Sequence, residues 1–248
     1  MTALLPSPGR RRFLLASAAL LLGASGGALG RSIQGGLPWT PFAADPPRPF
    51  RPGPWQYFTL EEAQAVEAAV ERLIPRDELS MSGKEAGCAE FIDRQLAGPY
   101  GRAERAYMRA PFQAGTPEQG FQQNTTPAMT YRRGLASLDT HCRERLGGRG
   151  FAELPPEERD RLLAAMEKGE AGLRGVDEKL FFDQLLGNTM EGFFADPIHG
   201  GNRDMVSWKM LGFPGTRYDF RDFVDRHNQK LDLPPVSIAG RAGWIREG

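Results

Sequence analysis

The chain has 248 residues, and its 31 lysines and arginines balance its 31 aspartates and glutamates, so the formal net charge is zero. This length provides for one substantial hydrophobic core or two small ones. A protein that binds duplex nucleic acid needs a basic face to release counterions from phosphates. Neither the total charge nor any local run supplies such a face, which argues against nucleic acid as a partner.

Residues 1–30 have the pattern of an export signal. An apolar run, Phe13–Ala24, follows three arginines, and no acidic residue precedes Asp45. At 12 residues the run is shorter than the roughly 20 that a membrane-spanning helix needs. The twin-arginine pattern RRxFL is matched by Arg10, Arg11, Arg12, Phe13 and Leu14. We therefore expect export to the periplasm by the twin-arginine pathway, with a short membrane anchor as the alternative.

The end of this signal predicts a cleavage site. Ala28 and Gly30 place small residues where a signal peptidase reads, so cleavage is expected after Gly30. The mature chain then has 28 basic and 31 acidic side chains, and 28 minus 31 gives a formal charge of −3. No later stretch is apolar enough to span a bilayer, so the mature protein is expected to reach a membrane only through a partner.

Residues 31–57 are predicted to form an extended arm. Seven prolines between Gly35 and Trp55 exclude a helix or a central strand and favour polyproline II. Aromatic side chains lie between the prolines, at Trp39, Phe42, Phe50 and Trp55. The arm is either a linker that separates the signal from the domain or a segment whose aromatic side chains dock on this domain or on a partner.

Residues 58–248 are predicted to fold as a compact all-α domain of five to seven helices with an irregular carboxy-terminal tail. Capping residues, terminating Gly and Pro residues, and apolar residues at helical spacing indicate five helices. These are one from Thr59 to Pro75, one from about Glu85 to Ala97, one from Thr126 to Gly147, one that opens at Pro155 and includes Met166, and one from about Asp177 to Phe194. The tail after Phe213 lacks periodicity and is expected to be a loop that packs on the domain or on a partner.

The sequence lacks the motifs of the common cofactor sites. It has no glycine-rich dinucleotide turn, no P-loop and no CxxCH haem motif, and two cysteines are too few for an iron–sulfur centre. Its histidines, His141, His199 and His227, lie far apart and form no HExxH motif. We therefore expect no cofactor and no metal in this chain, and we assign no catalytic residue.

Cys88 and Cys142 lie on separate predicted helices of a protein with a signal for an oxidising compartment. An internal disulfide is the default expectation. It would enclose 53 intervening residues and could stabilise the fold by about 4 kcal/mol. Two alternatives stay open, namely buried free thiols and a bridge from one cysteine to a partner subunit.

Residues 191–215, EGFFADPIHGGNRDMVSWKMLGFPG, form a segment that we call the corner. The glycine pair in it permits backbone angles that are closed to other residues, so a tight turn is expected there. The candidate structural or partner-binding residues of the corner are Asp196, Gly200, Gly201, Asn202, Arg203, Asp204, Trp208 and Phe213.

The polar residues of the corner allow three interpretations. Asn202 or Asp204 can cap a short following helix, and Arg203 can pair with Asp196 or Asp204, which gives a rigid structural turn. Arginine and tryptophan often dominate interface energies, so the same residues can form a recognition surface. An acid–base cluster of Asp196, His199 and Asp204 is the third interpretation, but no nucleophile or cofactor motif accompanies it.

The corner is also where the chain resembles a known family. FFADPIHGGNRDMVSWKMLGFPG is similar to the signature of the gluconate 2-dehydrogenase subunit 3 family, which typically reads FFADPxxGGNRDxxxWxxxGFPG. Two further stretches agree, Leu73-Ile74-Pro75 at the end of the first helix and Ala86-Gly87-Cys88 leading into Phe91-Ile92-Asp93-Arg94-Gln95-Leu96. The resemblance covers roughly residues 58–215.

The resemblance implies a non-catalytic small subunit that accompanies a large FAD-bearing flavoprotein of the glucose–methanol–choline oxidoreductase class. A membrane-anchored multihaem cytochrome c with haem c is often the third subunit, and the small subunit carries the export signal for the pair. The flavoprotein would load FAD in the cytoplasm, because the twin-arginine route carries proteins that have already folded. Two other functions stay open, a free-standing periplasmic enzyme and a binding or assembly module for another partner.

Overall fold

The structure, a computed structural model, describes residues 50–113, 115–119, 124–217 and 220–240. These residues belong to a single compact unit of the chain. The predicted export signal and the first part of the arm lie outside the described residues, and so does the end of the tail. The described part of the arm, from Phe50 onward, packs on the domain.

Six α-helices form the described part of the fold. They are α1 (Leu60–Leu73), α2 (Cys88–Ala97), α3 (Pro127–Arg145), α4 (Pro156–Lys168), α5 (Glu178–Phe194) and α6 (Val206–Leu211). Among the described residues there is no strand, and the only β-type pairing is an isolated bridge between Gly215 and Val236. The predicted all-α class is confirmed.

No helix in the described part of the chain has both the length and the apolar character needed to cross a membrane.

Local capping chemistry sets the starts of three of the six described helices. Thr59 and Glu62 form the predicted capping box, with the Thr59 hydroxyl accepting from the Glu62 amide at 3.2 Å and the Glu62 carboxylate accepting from the Thr59 amide at 2.9 Å. Thr126 caps α3 ahead of its initial proline, and the Asp177 carboxylate caps α5. These starts depend on residues within one helical turn, which is why the sequence predicts them.

The second helix is shorter than predicted. It begins at Cys88 and not near Glu85, because Gly87 adopts a left-handed conformation with φ +83°. The preceding turn is fixed instead by the Glu85 carboxylate, which accepts from the Ser82 amide at 2.9 Å and pairs with Arg76. The segment before α2 is therefore a structured turn that leads into the helix.

Helix α5 lies at the centre of the fold and contacts α1, α2, α3 and α4. Its buried residues Phe181 and Leu185 belong to the single apolar core, together with Val66 and Ile92 from α1 and α2. Gly134 on α3 faces the Phe181 ring so closely that a Cβ atom there would overlap the ring. Because glycine has no side chain, α3 and α5 can pack closely against each other at this position.

A polar network runs through this core. Asn188 on α5 donates to the Tyr131 hydroxyl at 3.1 Å and accepts from the Tyr100 hydroxyl at 3.1 Å. Complete burial raises the pKa of Tyr131 well above its ordinary value, so the hydroxyl stays protonated. The network satisfies polar groups that would otherwise be costly to bury.

The end of the arm is anchored by a buried carboxylate. Asp93 on α2 is fully buried and accepts hydrogen bonds from the backbone amides of Gln56, Tyr57 and Phe58 at 2.8, 2.9 and 3.0 Å. The adjacent Arg94 lies 3.4 Å from the same carboxylate and donates to the Pro54 carbonyl at 3.1 Å. Three amide donors and a guanidinium together compensate for burying the charge.

We expect Asp93→Asn to lower the free energy of unfolding by about 3 kcal/mol, because the neutral side chain loses the buried negative charge to which three backbone amides and the Arg94 guanidinium are directed. Urea denaturation of the mature chain measures this. Asp183→Asn is the matched control, since Asp183 forms an exposed i,i+4 pair with Lys179 and its loss should cost at most about 0.5 kcal/mol. Equal effects of the two substitutions would contradict the anchoring role of Asp93.

Candidate functional site

The corner begins with a carboxylate that binds two parts of the chain. Asp196 caps the 3₁₀ turn Pro197–His199, and its Oδ1 accepts from the Ile198 amide at 3.0 Å. Its Oδ2 accepts from the Ile238 amide at 2.6 Å. Asp196 is largely buried, so it attaches the carboxy-terminal tail to the start of the corner. The tail was predicted to pack either on the domain or on a partner, and at Ile238 it packs on the domain.

The glycine pair lies where three backbone segments meet. Gly200 has φ +103°, in the left-handed region that favours glycine. A Cβ atom on Gly201 would overlap the carbonyl of Gly192 on α5, and a Cβ atom on Gly87 would meet the carbonyl of Gly200. The predicted tight turn is present, and its glycines also allow the corner to pack directly on α5 and on the start of α2.

Asn202 joins the two sides of the turn. Its side chain is fully buried, and its amide nitrogen donates to the Ala195 carbonyl at 2.8 Å. Its carbonyl oxygen accepts from the Ser207 amide at 3.0 Å and from the Ser207 hydroxyl at 2.8 Å. Asn202 therefore holds the first turn of α6 through Ser207, but the N-cap position of α6 is Met205 and not the predicted Asn202 or Asp204.

The backbone around this side chain is strained. Asn202, Asp204 and Met205 have φ values of +46°, +57° and +56°, which residues other than glycine rarely adopt. Asparagine tolerates this region best of the three. Each such residue costs on the order of 1 kcal/mol and persists only when surrounding contacts enforce it. The buried hydrogen bonds of Asn202 supply that enforcement.

Arg203 binds a different part of the chain from the one predicted. Its Nη2 donates to Glu90 Oε1 on α2 at 3.1 Å, and its Nη1 donates to the Glu85 carbonyl at 3.1 Å. Its backbone amide donates to the Ala86 carbonyl at 3.0 Å. Arg203 therefore fastens the corner to the turn before α2.

The predicted pairing of Arg203 with Asp196 or Asp204 is thus wrong. The Asp196 carboxylate is already occupied by backbone amides on both oxygens. Asp204 is exposed and lies in the strained turn. Because Glu90 is 113 positions away in sequence, short-range pairing rules could not identify it.

Trp208 and Phe213 have different surroundings. Trp208 is buried and donates from its indole nitrogen to the Phe194 carbonyl at 3.0 Å, which connects α6 to the end of α5. Its ring contacts the Phe213 ring edge to face at 5.2 Å. Phe213 is 45% exposed. Trp208 therefore acts within the fold, and Phe213 is the aromatic side chain of the corner that a partner can contact.

The third interpretation, an acid–base cluster, finds no support in the geometry. The Asp196 carboxylate accepts from backbone amides, and Asp204 lies in the exposed part of the turn. In the described ranges no group of three or more His, Cys, Asp or Glu side chains is arranged to hold a metal ion.

The two cysteines are free and buried in the structure, so the predicted internal disulfide is not formed there. Burial raises the pKa of the Cys88 thiol to about 12 and that of Cys142 to about 11. Both thiols therefore remain protonated at neutral pH and are poor nucleophiles.

Sequence reasoning assigned no role to Asp93 or Asn188, two polar groups buried in the core. One signal was available for Asp93, because it directly follows Ile92 and lies three positions before Leu96, on the apolar side of α2. A charge at such a position is rarely left without partners.

The fold and the corner define a class of protein: a small helical domain whose polar corner residues mostly hold the structure together. The sequence model of the gluconate 2-dehydrogenase subunit 3 family matches residues 60–215, more than half of the chain. The chain therefore belongs to the gluconate 2-dehydrogenase subunit 3 family. No curated protein and no solved structure gives a significant match.

We expect Arg203→Ala to lower the free energy of unfolding by about 1 kcal/mol, because the ion pair is partly exposed to solvent. The Arg203 and Glu90 side chains are 45% and 25% exposed. Arg143→Ala is the matched control, since its exposed pair with Asp139 lies within α3 and should be worth roughly 0.5 kcal/mol or less. A loss of about 3 kcal/mol for Arg203→Ala in urea denaturation would instead show a buried, fully desolvated contact.

Proposed function

We propose that this chain is the non-catalytic small subunit of a periplasmic dehydrogenase complex and escorts a folded, FAD-bearing large subunit through the twin-arginine pathway. The observation that carries the proposal is the family match over residues 60–215, together with the RRxFL pattern at residues 10–14. The escorted partner is a flavoprotein of the glucose–methanol–choline oxidoreductase class that has no signal of its own. It oxidises a sugar, polyol or sugar acid.

The corner supports a role in binding and does not suggest chemistry. Its buried polar side chains, Asn202, Asp196 and Trp208, are used in hydrogen bonds to the backbone of the chain itself. Its exposed side chains at the end of α6 are mostly apolar, and Met210, Leu211 and Phe213 are 37%, 63% and 45% exposed. Clustered exposed apolar side chains on a rigid support are typical of protein interfaces. We therefore place the contact with the flavoprotein at the end of α6.

In this proposal the redox groups belong to the partners. The flavoprotein contributes FAD, and a multihaem cytochrome c contributes haem c where a third subunit is present. The small subunit contributes the export signal and a stabilising surface, and any attachment to the membrane is through the cytochrome. Loading FAD before export explains why the complex would use a route that accepts folded proteins.

The export signal provides the test. We expect the double substitution Arg10→Lys and Arg11→Lys to leave both this chain and a co-expressed flavoprotein in the cytoplasm, because the pathway recognises the guanidinium pair. Cell fractionation followed by FAD-dependent dehydrogenase assay of the periplasm measures the outcome.

Arg12→Lys is the matched control, because position 12 is the variable position of RRxFL and export should continue. Periplasmic flavoprotein activity that persists in the double variant would contradict the escort role. Retention of this chain alone, with the flavoprotein still exported, would contradict it as well.

A further inference from the structure

A groove with a volume of about 880 Å³ lies between α5 and residues 99–106. Its walls are mainly apolar and include Pro99, Ala106, Pro127 and Leu180. The volume is within the range of roughly 300–1,000 Å³ that is typical of binding sites in proteins. None of the described wall residues belongs to α6, so the groove is a different surface from the apolar side chains at the end of that helix.

The wall formed by residues 99–106 is held in place by neighbouring helices. The Gly101 carbonyl accepts from the Ala128 amide of α3 at 3.1 Å. The Arg102 guanidinium donates to the Ala97 carbonyl at the end of α2 at 2.8 Å. A partner that binds in the groove therefore meets a preformed wall, and little of this chain has to be ordered on binding.

The apolar surface continues beyond the groove along the same segment. Tyr107 directly follows the wall and is 84% exposed, and the Phe112 side chain is exposed as well. Aromatic side chains are enriched at protein interfaces. A small molecule enclosed by the groove would leave both rings in water, whereas a protein segment can cover the groove and the rings together. This arrangement favours a protein segment as the occupant.

The charge beside the groove is positive. Among the described wall residues there is no aspartate or glutamate, and Arg105 is one of them. Arg105 and Arg109 are exposed, and neither forms an ion pair within the described part of the chain. The one carboxylate of residues 99–113, that of Glu104, pairs with Arg102 at 2.7 Å. Free guanidinium groups attract carboxylates of a partner and disfavour cationic segments.

We propose that this surface, the groove together with Tyr107, Arg109 and Phe112, is a second contact with the flavoprotein. It binds an acidic segment of that partner, in which an apolar side chain enters the groove and adjacent carboxylates contact Arg105 and Arg109. His199 of the corner also lines the groove, so the surface is continuous with the corner. The inference rests on the proposed function, because it requires that the chain accompanies the flavoprotein.

Photo-crosslinking in the co-expressed complex tests the location of this contact. With p-benzoyl-phenylalanine in place of Tyr107, irradiation and peptide mass spectrometry should identify a flavoprotein peptide that has aspartate or glutamate beside an apolar residue. The same probe in place of Leu211 reports on the end of α6. Crosslinks from position 211 without any from position 107 would overturn this proposal and leave the proposed function intact. A flavoprotein that does not bind the chain at all would overturn both.

The charge contribution is tested by affinity. Arg105→Glu should raise the Kd for the purified flavoprotein about tenfold, because like charges then meet across the contact. Lys168→Glu is the matched control, since Lys168 is exposed at the end of α4 and is not a wall residue. It should leave the Kd within about twofold of the wild-type value.

The groove itself is tested by filling it. Ala106→Trp introduces a large ring at an exposed position of the wall, and it should also raise the Kd about tenfold, because the apolar side chain of the partner is then excluded. Ala164→Trp is the matched control, because Ala164 is exposed on α4 and is not a wall residue. An unchanged Kd in either Arg105→Glu or Ala106→Trp would overturn the proposal.

Discussion

The side chain of Asn202 is the contact on which the corner depends. It bonds to the backbone before the glycine turn, at Ala195, and after it, at Ser207. Those bonds help to compensate for the left-handed backbone at Asn202, Asp204 and Met205. A small buried amide thus fixes a turn that the backbone alone would not favour.

Several parts of the chain converge on this fixed turn. Gly201 packs on Gly192 of α5, Arg203 reaches the turn before α2, and Asp196 holds the tail at Ile238. Phe50 brings the arm to Gly200. The corner is therefore the junction between the helical core and both extended ends of the domain. The close contacts at this junction explain why glycines and buried polar side chains occur together in the corner.

The sequence was informative where structure is determined locally. Thr59 with Glu62, Thr126 with Pro127, and Asp177 define helix starts through contacts within one turn, and all three were predicted correctly. The glycine turn could likewise be inferred from residue types and spacing, whereas the N-cap of α6 is Met205 and not the predicted Asn202 or Asp204. The all-α class follows from these signals together with the absence of strand patterns.

Contacts between distant segments could not be predicted in this way. The Arg203 partner was wrong because Glu90 comes into range only when α2 packs beside the corner. Asp93 and its three amide donors require knowledge of where the arm lies. The start of α2 was placed too early because only the packed structure shows Gly87 in a left-handed conformation, against the Gly200 carbonyl.

The claim that Asn202 holds the corner is tested most directly by urea unfolding of Asn202→Gly and Asn202→Ala. Both variants lose the buried side-chain hydrogen bonds, and we expect Asn202→Gly to lower the free energy of unfolding by about 3 kcal/mol. Asn202→Ala should lose about 1 kcal/mol more, because alanine also pays for the positive φ at this position. If both variants unfold within about 0.5 kcal/mol of the wild-type chain, as ordinary surface substitutions do, the corner does not depend on Asn202.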